Sequence, residues 1–276
     1  MLIKKRSTLK PSKLISIIVL ALMLAIGGFL PGSTLTAKAN HFTETKMYSI
    51  HLLSTYERTV TYNLAPGTVI VMYPNSDRTV FTYLWADDLV KNNTVQTVVM
   101  AGVGSSSLGT AAMAKQIANE LGEPVAGIVS GWGDSTIWYY GSQGYYVGRP
   151  NNIDGTYYSN SASYKLYSLY LDGARPQRVI GHSKGSMDSA NALFRLKNEG
   201  KNSMYSETSF ISLGIGVNVP EGVYNYRGYL GTEDSLGATN TTNENGLTML
   251  KGSEHHINPT YSKNLPVTAD MLEKIV

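Results

Sequence analysis

Residues 178–187 have the sequence Arg-Val-Ile-Gly-His-Ser-Lys-Gly-Ser-Met, which places a Gly-x-Ser-x-Gly motif between two patterns of different periodicity. The apolar run at 178–180 predicts a strand, whereas apolar residues recur at helical spacing over 187–196. Ser183, at the centre of the motif, therefore falls on a strand–turn–helix junction. The two glycines let the strand and the helix approach a tight turn without a Cβ clash. We expect this turn to lift the serine hydroxyl above the edge of a sheet.

The sequence on both sides of this motif alternates between short apolar runs and helical patterns. The predicted strands, besides 178–180, are 69–73, 97–101, 125–130, 210–213, 224–230 and 247–251. The predicted helices, besides 187–196, are 111–121, 161–171 and 265–276, with β-like segments expected around 48–53 and 59–62. Such alternation predicts an α/β fold with a mostly parallel central sheet flanked by helices.

The N-terminal residues 1–39 have the three-part layout of a secretory signal peptide. A basic start precedes an apolar run of 17 residues at 14–30, and Ala37-Lys38-Ala39 provides a small-x-small cleavage site. A retained membrane anchor is the alternative, since such a run is at the short limit of a bilayer span. We expect removal of 1–39, which leaves one secreted, extracellular domain at 40–276 with no stable membrane insertion.

Charge and cysteine content exclude several classes of function. The net charge is +3, but six of the 23 basic residues and none of the 20 acidic residues lie in 1–39. The remaining chain has 17 basic and 20 acidic residues, so no electrostatic argument favours nucleic acid as a partner. The absence of cysteine excludes disulfides, thiolate metal sites and a cysteine nucleophile.

Two adjacent histidines near the C-terminus are candidates for the general base. A serine hydroxyl is a poor nucleophile unless a base takes its proton. His255 and His256 follow the last predicted strand, from which a loop can reach back over Ser183. Adjacent side chains point apart, so only one of the two serves; Glu254 before His255 favours that residue, and His256 stays open. No converging ligands accompany the pair, so no metal site is expected.

A carboxylate should orient the base and stabilise its cation. Asp234 lies in the turn after the strand predicted at 224–230, where such a carboxylate is needed, and Glu233 is the second choice. A solvated acidic turn is the alternative interpretation. His182, inside the Gly-x-Ser-x-Gly motif, is expected to point away from the serine hydroxyl.

Backbone amides are the expected donors to an oxyanion. One is the amide of Lys184, the residue after the candidate nucleophile. The second is the amide of Val103 or Gly104, in the glycine-rich loop after the strand predicted at 97–101. A phosphate-binding loop is the alternative, but no lysine follows in the required pattern and the glycine spacing does not fit a dinucleotide site.

With these residues the chain resembles the α/β-hydrolase superfamily, and in layout the small secreted bacterial lipases and esterases. Two positions depart from common patterns: Ala101-Gly102 stands where many members have His-Gly, and Lys184 stands where Met, Gln or Gly is frequent. The resemblance implies a serine carboxylic ester hydrolase that works through an acyl-enzyme, with no cofactor or metal. It spans about 69–276 and rests on 102–106, 181–185, 231–235 and the two late histidines.

A tyrosine-rich insertion at about 134–172 contains nine of the 19 tyrosines. Aromatic side chains here and just before it are expected to line a cleft for a small-molecule, lipid or polymer ester. Packing of a long loop against the sheet is the alternative. An acyltransferase, a peptidase with the same triad or a catalytically inactive surface-binding protein are the other functions considered. The predicted substrate-binding residues are Trp132, Trp138, Tyr139 and Tyr140.

Overall fold

The structure is a computed structural model that describes residues 44–75, 79–103, 105–130 and 160–273. In these residues eight strands form one sheet: β1 (Val69–Met72), β2 (Val80–Thr82), β3 (Thr97–Met100), β4 (Val125–Ile128), β5 (Arg178–His182), β6 (Ser209–Leu213), β7 (Asn225–Gly231) and β8 (Leu247–Leu250). Their order is β2-β1-β4-β3-β5-β6-β7-β8. β1 is antiparallel to both of its neighbours, and the pairs from β4 to β8 are all parallel.

Helices flank this sheet, which confirms the predicted α/β class. They are α1 (Thr55–Thr61), α2 (Tyr83–Lys91), α3 (Ser107–Leu121), α4 (Ser161–Leu171), α5 (Lys184–Asn198), α6 (Ser235–Asn240) and α7 (Ala269–Leu272), with 3₁₀ turns at Ile50–Leu52 and Asn202–Met204. Among the described residues no helix combines the length and the apolar character needed to cross a bilayer. The predicted signal peptide at 1–39 and most of the tyrosine-rich insertion lie outside the described residues.

The strands alternate between two hydrophobic layers because successive side chains point to opposite faces. In β1, Val69 and Val71 belong to the layer under α2, α4 and α5, whereas Ile70 and Met72 belong to the layer under α3. The helices that follow the adjacent strands β3 and β5 therefore cover opposite faces. In open α/β sheets a crevice opens at the carboxyl ends of two such strands, and ligands bind there.

The segment before β1 is helical, so the predicted β-like segments at 48–53 and 59–62 were wrong. A capping box begins α1: the Glu57 amide donates to Ser54 Oγ at 3.2 Å, and the Ser54 amide donates to the Glu57 carboxylate at 2.6 Å. These reciprocal bonds satisfy two amides at the start of the helix. They favour a helix here even though the segment is rich in β-branched residues.

The C-terminal helix predicted at 265–276 is also shorter than expected, since α7 ends at Leu272. The amide of Leu265 donates to the carbonyl of His256 at 2.7 Å, so residues 256–265 form a loop directly after the two candidate histidines. Asn258, in the same loop, donates to the carbonyls of Thr45 and Tyr48 at 2.7 and 3.2 Å. The loop is therefore fixed to the segment that precedes β1.

Close packing explains both glycines of the Gly-x-Ser-x-Gly motif. A Cβ at Gly185 would overlap the carbonyl oxygen of Met100 and lie 2.6 Å from its carbonyl carbon. A Cβ at Gly181 would overlap the backbone of Ser186. The strand β3 and the start of α5 thus meet at backbone distance.

We expect Gly185→Ala to lower the free energy of unfolding by about 3 kcal/mol, because two backbone segments must separate. Gly200→Ala is the control: a Cβ there meets nothing within 4 Å, and only the positive φ of +72° opposes it. Gly200→Ala should lower the free energy of unfolding by about 1 kcal/mol. Urea unfolding of both variants tests this expectation, and equal losses would contradict it.

Candidate active site

Ser183 occupies a strained turn between β5 and α5. Its φ of 54° and ψ of −124° lie where a side chain with a Cβ is rarely found. The turn is held by two backbone bonds, from the Ser183 amide to the carbonyl of Leu213 and from the Ser186 amide to the carbonyl of Ser183, both at 2.9 Å. Backbone strain that the surroundings maintain is concentrated at functional sites in proteins.

The loop after β3, where the sequence predicted one oxyanion donor, lies against this turn. A Cβ built on Gly102 would be 3.0 Å from the Cβ of Ser183, and Val103 follows directly. The Lys184 amide is the first of α5 and has no partner inside the helix. The side-chain ammonium of Lys184 binds the Asp188 carboxylate at 2.7 Å. Gly104 lies outside the described residues.

Asp234 and His255 form a buried hydrogen-bonded pair. Nδ1 of His255 donates to Oδ2 of Asp234 at 2.7 Å, and Oδ1 of Asp234 accepts the Gly237 amide at 2.6 Å at the start of α6. Because the carboxylate holds the proton on Nδ1, the lone pair is on Nε2. This Nε2 is buried and has no hydrogen-bond partner among the described residues. Within the part of the chain that the structure describes, it is therefore a proton acceptor with no donor bound to it.

Glu233 and His256 do not take part in this pair. Glu233 forms a surface ion pair with Lys263 at 2.7 Å. The ring of His256 lies edge-on to Tyr261, with centroids 5.9 Å apart, and its Nε2 is 3.7 Å from the Glu254 carboxylate. Of the alternatives that the sequence left open, the structure therefore joins Asp234 to His255.

A second buried network, which sequence analysis missed, connects the parts of the site. Nδ1 of His182 accepts the hydroxyl proton of Tyr48 at 2.7 Å, and its Nε2 donates to the carbonyl of His255 at 2.8 Å. The Tyr48 hydroxyl oxygen in turn accepts the Gly102 amide at 2.6 Å. No sequence spacing could predict this network, because Tyr48 and His182 are 134 positions apart.

The ring of His182 is held neutral. Burial lowers its pKa to about 3, and the nearby imidazole of His255 acts in the same direction. A neutral ring agrees with the observed bonds, since Nδ1 accepts a proton from Tyr48. Burial also lowers the pKa of His256, and the positive charge of Lys46 adds to this effect.

These two lowered pKa values predict a pH dependence of stability. In the unfolded chain both rings have a pKa near 6.5, so as the pH falls below that value the unfolded state binds protons that the folded state excludes. The free energy of unfolding should therefore decrease from about pH 7 to about pH 5. Urea unfolding measured across this pH range should show a smaller decrease in the free energy of unfolding for His182→Gln and for His256→Gln than for the wild type. If the free energy of unfolding of both variants depends on pH as in the wild type, the two histidines do not cause the decrease.

The four predicted substrate-binding residues, Trp132, Trp138, Tyr139 and Tyr140, lie outside the described residues. Within the described ranges, no group of three or more His, Cys, Asp or Glu side chains is placed to hold a metal ion. Comparisons with protein-family models, curated proteins and solved structures found no match for this chain. Its chemistry is therefore inferred from the arrangement of its own side chains.

Proposed function

We propose that this chain is a serine hydrolase of the α/β-hydrolase type that cleaves carboxylic esters. Ser183 is the nucleophile, His255 is the general base and Asp234 orients the base. One observation carries the proposal: a strained serine turn and a buried Asp–His pair with an unpartnered Nε2 are connected through His182. The position of the serine between β5 and α5, at the crevice between β3 and β5, supports it further.

In the proposed first step, Oγ of Ser183 attacks the carbonyl carbon of the ester while Nε2 of His255 takes the hydroxyl proton. The amides of Lys184 and of Val103 or Gly104 stabilise the negative charge that develops on the carbonyl oxygen. The C–O bond to the alcohol then breaks, and the imidazolium gives its proton to the leaving oxygen. The products of this step are the free alcohol and an acyl-enzyme.

In the second step, His255 takes a proton from water, and the resulting oxygen nucleophile attacks the acyl carbon. The bond to Ser183 breaks, the carboxylic acid leaves, and the serine regains its proton. Asp234 stays ionised throughout and stabilises the imidazolium that forms twice in each cycle. We place this activity outside the cell, on the basis of the signal-peptide pattern at 1–39.

Two measurements on residues 40–276 test the proposal. We expect hydrolysis of p-nitrophenyl acetate, butyrate and palmitate, and covalent labelling of Ser183 by a fluorophosphonate probe, located by peptide mass spectrometry. A matched p-nitroanilide and an added acceptor alcohol separate ester hydrolysis from peptidase and acyltransferase activity. Absence of both hydrolysis and labelling would overturn the proposal and favour a non-catalytic binding protein.

A further inference from the structure

Tyr48 and His182 lie between the loop after β3 and the loop that carries His255. Both side chains are only 1% exposed. Every polar atom of the two side chains is used on a segment of the candidate site: the amide of Gly102 on one side, the carbonyl of His255 on the other, and the bond between the two rings. Together they form one chain of hydrogen bonds from Gly102, in the loop after β3, to the backbone of His255.

We propose that Tyr48 and His182 are paired positioning residues that fix the separation between the oxyanion donors and the general base. This inference rests on the proposed function. Neither side chain is assigned contact with substrate. Tyr48 acts through the backbone of Gly102, which precedes the candidate donor Val103, and His182 acts through the backbone of His255. The sequence assigned no role to Tyr48 and placed His182 only as a residue turned away from the nucleophile.

Close packing supports a positioning role, because the imidazoles of His182 and His255 lie against each other and against the backbone of Gly214. The ring centroids of His182 and His255 are 4.9 Å apart. A Cβ built on Gly214 would lie 3.1 Å from Cε1 of His255 and 3.3 Å from Nε2 of His182. The backbone of Gly214 thus packs against both rings, and the hydrogen bond from His182 connects this packed unit to the His255 backbone.

The effect of losing Tyr48 or His182 on kcat and KM depends on where charge develops during the reaction. The oxyanion and the imidazolium both form in the transition state, so a displaced amide or base weakens transition-state binding more than substrate binding. A displacement of about 1 Å can cost on the order of 100-fold in rate. Loss of a positioning residue should therefore lower kcat and leave KM nearly unchanged.

Tyr48→Phe tests the proposal, because it keeps the ring and removes the hydroxyl that joins Gly102 to His182. We expect kcat on p-nitrophenyl butyrate to fall about 10- to 100-fold and KM to change less than about twofold. Affinity for an aryl boronic acid, which forms a tetrahedral adduct with serine, should fall by the same factor as kcat. Rates are expressed per serine labelled at completion by the fluorophosphonate, so misfolded protein is not counted.

Tyr170→Phe is the matched control. Tyr170 is fully buried and its hydroxyl bonds to Thr208 at 2.8 Å, so the same atom is removed from a comparable environment in α4. Both variants should lose stability, since each removes at least one buried hydrogen bond. Only Tyr48→Phe should lose kcat and affinity for the boronic acid.

A pair of substitutions at His182 provides a rescue test. Gln retains an amide donor for the His255 carbonyl and an oxygen acceptor for Tyr48, whereas Leu retains neither. We expect kcat to decrease in the order wild type, His182→Gln, His182→Leu, at constant KM. The proposal is overturned if Tyr48→Phe and His182→Leu keep the kcat of Tyr170→Phe, or if only KM changes. If the wild type shows neither hydrolysis nor labelling, the proposed function itself fails, and this inference fails with it.

Discussion

We expect kcat for ester hydrolysis to fall by about 10⁶-fold when Ser183 is replaced by alanine. The variant has no nucleophile, so no acyl-enzyme forms and the remaining turnover comes from binding and the oxyanion donors. Initial rates on p-nitrophenyl butyrate at high protein concentration measure the loss. Intact-mass analysis after fluorophosphonate treatment should show an adduct on the wild type and none on Ser183→Ala.

Ser186→Ala is the control for this substitution. Ser186 lies in the first turn of α5 and is fully buried, and its Oγ has no hydrogen-bond partner among the described residues. Removal of that hydroxyl leaves no partner unpaired, so activity and labelling should match the wild type within about twofold. A Ser183→Ala protein that keeps more than roughly 1% of the wild-type kcat would show that another residue performs the chemistry.

The second large effect is expected at the Asp–His pair, where neighbouring residues act as controls. His255→Ala should lower kcat by about 10⁴- to 10⁶-fold, since no base remains to take the serine proton. Asp234→Asn should lower kcat by about 10⁴-fold, because an amide that donates to Nδ1 places the imidazole in the wrong tautomer. Steady-state rates on the same ester, with circular dichroism to establish folding, measure both.

The matched variants are His256→Ala and Glu233→Gln. The ring of His256 faces Tyr261, and the Glu233 carboxylate pairs with Lys263. We expect kcat within about tenfold of the wild type for both, with a loss of stability for His256→Ala because its ring is buried. The opposite ranking of the two histidine variants would move the base to His256 and refute the assignment of His255.

The central strands and the serine turn could be predicted from the sequence because each depends on a pattern of neighbouring residues. The apolar runs of β1, β3 and β4 are buried on both faces, and they were located to within one or two residues. β2 and α2 were not predicted, since β2 has three half-buried residues and Tyr83, at the start of α2, has a φ of 54°. Neither feature produces a periodic pattern.

The candidate site was only partly predictable, since its geometry depends on contacts between distant residues. The order of serine, acid and histidine followed from strand positions. The choice between His255 and His256 did not, because it depends on the loop conformation that directs one ring to Asp234. The network through Tyr48 joins segments that no pattern relates, and only the folded chain brings them together.

The bonds from Asn258 to the segment at Thr45 and Tyr48 have a consequence for biosynthesis. They join residues more than 200 positions apart, so the base loop cannot be fixed until nearly the whole domain has been synthesised and folded. Contacts of such long range also make folding slow. Under the proposed function, a chain whose C-terminal part is still unfolded would carry Ser183 without a positioned base.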